Sequence, residues 1–156
     1  MTVRCPSIDA RGFLPVRFVR AGAPGSRNTS PAIEWSDPPE GTASFALTMI
    51  DRHPIAHGWV HWCVVDIPAS VHAMTEGASG RSMPAGSREL VNTFGDVGYG
   101  GPQPPHGTGP HEYHITIHAL RVPALTVERA TLEKVMAAIR SEEISSSSVV
   151  GRYESS

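Results

Sequence analysis

From Ser44 to Asp51 the chain reads SFALTMID, with Phe45, Leu47 and Met49 alternating against Ser44, Ala46 and Thr48. A period of two in β-forming residues predicts a strand that ends at a charged residue. Trp59 to Ile67, WVHWCVVDI, is instead almost continuously apolar and stops at Pro68. Such a run predicts a strand covered on both faces and central in its sheet. His111 to Leu120 alternates again: His111, Tyr113, Ile115, Ile117 and Ala119 share one face, and Glu112, His114, Thr116 and His118 the other. The first, mostly apolar face is expected to turn inward.

One stretch changes period. Leu132, Val135, Met136 and Ile139 are spaced i, i+3, i+4, i+7 and predict a helix over 127–143, with Thr126 as its cap and Glu128 in its first turn. A last strand is expected over 145–153. Between Met74 and Pro110 the chain is rich in Gly, Pro, Ser and Asn without periodicity, which predicts a long connection. Its end, GYGGPQPPHGTGP from Gly98 to Pro110, has too many prolines to be floppy and too many glycines to be regular, so it is expected to hold a fixed irregular path.

Composition sharpens this reading without redirecting it. The 156 residues suit one domain, 1–156, and 15 Gly with 14 Pro favour strands and turns over long helices. The expected fold class is mainly β. A net charge of −2 with scattered basic residues gives neither a nucleic-acid stripe nor a polybasic membrane patch, so a small neutral or anionic ligand is expected and no nucleic acid. Met1–Ser7 has no apolar core and no later run approaches the ~20 apolar residues that cross a bilayer, which points to a cytoplasmic chain without integral membrane association. Cys5 and Cys63 are two isolated cysteines and predict no disulfide framework, and Asn28-Thr29-Ser30 reads as a turn.

The candidate chemistry lies in the eight histidines. The pairs His57/His61 and His114/His118 have the i, i+4 spacing of helical metal ligands, but the second lies in a strand pattern. There the two residues stand roughly 13 Å apart, too far to share an ion. No metal or other cofactor is therefore expected. More useful is that Asp51 ends one strand, His61 opens the next and His111 begins a third after the proline-glycine segment. If the three strand ends meet, an acid and two imidazoles converge beneath a fixed loop, an arrangement suited to phosphate or carboxylate.

Several ordered stretches carry a family resemblance: Asn28-Thr29-Ser30-Pro31-Ala32-Ile33-Glu34-Trp35, the strand SFALTMID, Gly58-Trp59-Val60-His61-Trp62, Gly98 to Pro105, Gly109 to Tyr113, and Val150 to Glu154. Together they resemble the phosphatidylethanolamine-binding proteins, in particular the bacterial and archaeal Raf-kinase-inhibitor-like branch. The resemblance implies an antiparallel β-sandwich with one C-terminal helix, long irregular pocket loops and a site for phosphate, phospholipid head groups or similar anions. By position it implies pocket residues Asp51, His61, Gln103, Pro104, His111 and Tyr113, with Trp59 as an apolar wall. It also implies a protein kinase or protease as a regulated partner, and a homodimer.

Two positions depart from the family pattern. After the first strand the family reads Asp-Pro-Asp-x-Pro, where this chain has Asp51-Arg52-His53-Pro54-Ile55. Glu112 stands between His111 and Tyr113 in place of an arginine. With His53 facing the pocket, phosphate would bind more tightly at acidic pH, because histidine gains charge near pH 6.5. The leading expectation is a non-enzymatic anion-binding protein whose binding is abolished by His61→Ala or His111→Ala with the fold largely intact. The alternative is an acid–base hydrolase built on an Asp–His pair in the same pocket.

Overall fold

The computed structural model describes residues 1–127 and 131–156. Its strands are β1 (Thr2–Arg4), β2 (Ile33–Ser36), β3 (Ser44–Asp51), β4 (Val60–Pro68), β5 (Ala73–Met74), β6 (Arg88–Glu89), β7 (His111–Leu120) and β8 (Glu143–Tyr153), with one helix, α1 (Leu132–Glu142), before β8. They form two antiparallel sheets, of order β1-β2-β5 and β6-β4-β3-β7-β8. The mainly β expectation holds.

The alternation in β7 survives as read: His111, Tyr113, Ile115, Ile117 and Ala119 are all buried. They join Phe45, Leu47 and Met49 of β3 and Val3, Ile33 and Trp35 of the smaller sheet in one core. The continuous apolar run of β4 is accounted for by two cores. Trp62 and Val64 face the space between the sheets, while Cys63 and Val65 pack beneath Val135 and Ile139 of α1. Its expected place is corrected, however. The central strand is β3, and β4 lies between β3 and the two-residue β6.

The helix begins later than its periodicity implies. Its cap is Thr131, not Thr126: the Thr131 hydroxyl accepts from the Lys134 N–H at 3.2 Å. The segment near Thr126 is committed elsewhere, because Asp66 Oδ1 accepts from the Leu125 N–H at 2.8 Å and ties it to β4. Glu128 lies outside the described residues. The last strand begins at Glu143, two residues before the expected 145. Cys5 and Cys63 are both free and buried. Among the described residues, no helix is long and apolar enough to cross a membrane.

The long connection after β5 holds its path through side chains. Glu89 accepts from Trp62 Nε1 at 2.8 Å and from the Gly80 N–H at 2.9 Å, and Tyr99 donates its buried hydroxyl to the Phe18 carbonyl. Gly101 is glycine for a steric reason, since a Cβ there would meet the Phe18 carbonyl oxygen at 1.9 Å. The loop is thus pressed against 18–20, which brings Gln103, Pro104 and Pro105 over the strand ends.

Candidate functional site

The end of β3 and the starts of β4 and β7 meet because β3 pairs antiparallel with both neighbours, with Asp51 opposite Tyr113 and Met49 opposite Trp62. A cavity of about 260 Å³ opens there. Asp51, Trp59, His61, Gln103, Pro104, His111 and Tyr113 all line it, so seven of the eight positions named from the sequence come together. Ile55, Ala56, Phe94 and Pro105 complete the wall. Phe94 meets Trp59 and His61 edge-on, with ring centroids at 5.2 and 5.4 Å, and no periodicity in its Gly- and Asn-rich surroundings marked it.

His53 stands apart from that wall. Its ring is stacked on His111, centroids 3.9 Å apart and planes 8° from parallel. Its Nδ1 accepts from the Ile55 N–H at 3.3 Å, so Nε2 is the atom that donates to the Thr108 carbonyl at 3.1 Å. His53 thus packs on His111 and is not among the residues that line this cavity, so acid-enhanced binding cannot rest on His53 facing it. Glu112 points out of the core as strand alternation requires, and is exposed.

The two cavity histidines have opposite roles. At His111, Nδ1 lies 2.7 Å from Asp51 Oδ2, and Nε2 lies 2.9 Å from Thr108 Oγ1. The Thr108 hydroxyl also reaches the Pro105 carbonyl. Asp51 Oδ1 in turn accepts from the His53 N–H at 2.8 Å. Both nitrogens of His111 are therefore engaged, and the residue locks the proline loop to the end of β3. Thr108, lying between two glycines, gave no signal of this task in the sequence.

At His61 one nitrogen is left. Nδ1 lies 2.6 Å from the Gly100 carbonyl and 3.1 Å from that of Gly101, so it carries the hydrogen. Nε2 is then an acceptor, with no partner among the described residues. Burial pushes the His61 imidazole below its ordinary value, opposed by the Gly100 carbonyl and the Asp51 charge. The carbonyls that fix this tautomer are held by Asn28, whose Oδ1 accepts from the Gly101 N–H at 2.7 Å and whose Nδ2 donates to the Tyr99 carbonyl. Asn28, read as a turn residue and indeed at φ 52°, also orients the pocket histidine.

Two donors on the wall lack partners. The Tyr113 hydroxyl and the Trp59 indole nitrogen are buried without a hydrogen-bond partner among the described residues. Burial first, then the Asp51 charge, raises the Tyr113 hydroxyl well above its usual value, so it stays a neutral donor. Native proteins leave few such groups, and each calls for a partner.

The lowered histidines carry a stability consequence. Burial lowers His61, and also His118, where Glu143 partly compensates, below 6.5. The folded chain then binds fewer protons than the unfolded one. The stability these groups contribute is whole above about pH 6.5 and is lost as pH falls through the lowered values. Urea midpoints are expected to fall on acidification below that point, with a shallower fall in His118→Gln.

With this geometry in place, comparison with known proteins fits it to a family. The Phosphatidylethanolamine-binding protein family model matches residues 5–154, and the chain belongs to that family. It is 43% identical over 105 residues to UPF0098 protein YbcL of Escherichia coli, a match covering 65% of this chain and 57% of YbcL. It is 35% identical to a UPF0098 protein of Aquifex aeolicus, covering 82% of this chain and 75% of the relative. The crystal structure of E. coli YbcL, described as a member of the mammalian PEBP family, superposes with a TM-score of 0.91 at 34% identity, covering 99% of this chain and 98% of that one. A Mycobacterium tuberculosis relative, 32% identical over 99% of this chain and covered over 72% of its own length, has the word lipoprotein in its name.

Proposed function

We propose that the chain is a non-enzymatic binding protein for a small phosphorylated anion, and that the preferred form is a phosphomonoester carrying one proton. The observation that supports this reading is the pattern of unused groups on the cavity wall: two buried donors, Tyr113 Oη and Trp59 Nε1, beside one acceptor, His61 Nε2. Phosphoryl oxygens accept from the donors, and the remaining P–OH donates to His61. The walls of Trp59, Phe94, Pro104 and Pro105 are apolar, which strengthens each of these bonds by excluding water.

The hydrolase alternative needs a free imidazole nitrogen as base. The Asp51–His111 pair offers none, since Thr108 holds the other nitrogen, and the free Nε2 of His61 serves in this reading as the acceptor for the ligand's own proton. A regulatory role toward a kinase or protease, implied by the resemblance, would act through the rim of the same cavity. Its test is loss of inhibition when phosphate fills the site. We place the chain in the cytoplasm, and recovery of the native protein in the membrane fraction would contradict that.

Because the proton belongs to the ligand, acidity favours binding even though His53 faces elsewhere. A phosphomonoester loses its second proton near pH 6, so calorimetry should give tighter binding of methyl phosphate at about pH 5.5 than at about pH 8. The difference should persist in His53→Asn. Equal affinity at both pH values would remove the proposed role of His61.

A further inference from the structure

An anion is favoured by positive potential where it binds, and the cavity wall has no full positive charge free to supply it. Asp51 is the one carboxylate among the described lining residues, and neither lysine nor arginine is among them. His111 is committed to Asp51 and Thr108, and His61 is read above as a neutral acceptor. A full positive charge acting on an anion there has to come from behind the wall.

One arginine stands in that place. The Arg20 guanidinium lies over the Phe94 ring, 4.2 Å from its centroid, and Nη1 donates to Gln103 Oε1 at 3.4 Å. Phe94 and Gln103 both line the cavity, whereas Arg20 does not. Its charge is thus one ring away from a ligand. Phe94 in turn meets Trp59 and His61 edge-on. These are the residues that carry an unused donor and the unused acceptor.

The guanidinium is held there from several sides. The Arg20 N–H donates to the Pro102 carbonyl at 3.0 Å, which ties its backbone to the proline loop, and Nη2 donates to Asp96 Oδ2 at 3.2 Å. Phe94 packs so closely on Gly100 that a Cβ there would meet the ring at 2.6 Å, so the ring cannot retreat from Arg20 on that side. Asp96 offsets the charge only in part. Its side chain is 65% exposed against 34% for Arg20, so water screens the carboxylate more than the guanidinium on the ring.

We propose that Arg20 makes the cavity selective for anions, supplying positive potential through Phe94 without touching the ligand. This rests on the reading that the cavity takes a small phosphorylated anion. Arg20 is then a positioning residue, acting through the wall. An apolar ring between charge and anion screens their attraction far less than water does.

Calorimetry with methyl phosphate at about pH 5.5, where it is a monoanion, tests this. Arg20→Met keeps an apolar stem against Phe94 and removes the charge, and should weaken binding about tenfold at low salt. Arg20→Lys keeps a cation for the ring and should stay within about threefold of wild type. Wild-type affinity should fall as salt rises from about 20 to about 300 mM, and that of Arg20→Met should fall less, because screening acts on the charge. A wall disturbed only in shape would give neither the lysine rescue nor the difference in salt dependence. Thermal melts of the variants check that the fold is kept, and the wild-type salt series needs no variant. Equal binding by wild type and Arg20→Met, Arg20→Lys as weak as Arg20→Met, or a wild-type affinity indifferent to salt overturns the proposal. A wild type that binds no methyl phosphate at any salt removes the underlying reading as well, a result distinct from a binding wild type matched by Arg20→Met.

Discussion

Replacing His111 with alanine is expected to destabilise the fold by about 1–3 kcal/mol or more, the usual consequence of removing one partner of a buried hydrogen bond and leaving the other unsatisfied. His111 is 1% exposed and Asp51 4%. Without the imidazole, Asp51 Oδ2 loses its partner, Thr108 loses its hydrogen bond to Nε2, and His53 loses the ring it stacks on. The sequence alone favoured a variant that loses ligand and keeps its fold. The geometry reassigns that outcome, because both ring nitrogens serve the structure. Urea unfolding of His111→Ala measures the effect directly, and a loss below about 1 kcal/mol would mean that the pair is replaceable by water.

Tyr113→Phe should have the opposite profile: binding of a phosphomonoester weakened roughly 10- to 100-fold, with stability unchanged or slightly raised. A hydrogen bond to a charged group contributes about 1.5–3 kcal/mol, and each 1.4 kcal/mol is a factor of ten in affinity. Among the described residues the hydroxyl has no partner, so its removal costs no hydrogen bond within the protein and relieves a buried polar group. Calorimetry together with a thermal melt separates the two effects. A variant that binds as well as wild type would show that the ligand does not reach Tyr113.

How much of this the sequence carried follows from the range of the forces involved. The alternation of β3 and β7 is a local record of which side faces the core, and both strands end where that pattern ends. The three strand ends were legible as a site because Asp51, His61 and His111 sit at element boundaries, and the family resemblance added Gln103, Pro104, Tyr113 and Trp59. Long-range contacts left no such record. Thr131 and Thr126 are both competent caps, and only the grip of Asp66 on Leu125 decides between them. His53 follows Asp51 by two residues and was read as facing the pocket. Its place behind His111 depends on Thr108, fifty-five residues away. The task of Asn28 depends on Gly101, seventy-three residues on.

The same division explains where the departures from the family pattern fall. Arg52 and Glu112 are exposed and are joined through the backbone, the Arg52 N–H donating to the Glu112 carbonyl, and neither lines the cavity wall.

The central claim is that His61 Nε2 acts as an acceptor and therefore requires a hydrogen from the ligand. Calorimetric titration with methyl phosphate and dimethyl phosphate, both monoanions at about pH 5.5, tests this most directly, because only the first retains a P–OH. The geometry predicts measurable binding of methyl phosphate and at least tenfold weaker binding of dimethyl phosphate. Equal affinity for the two would contradict it.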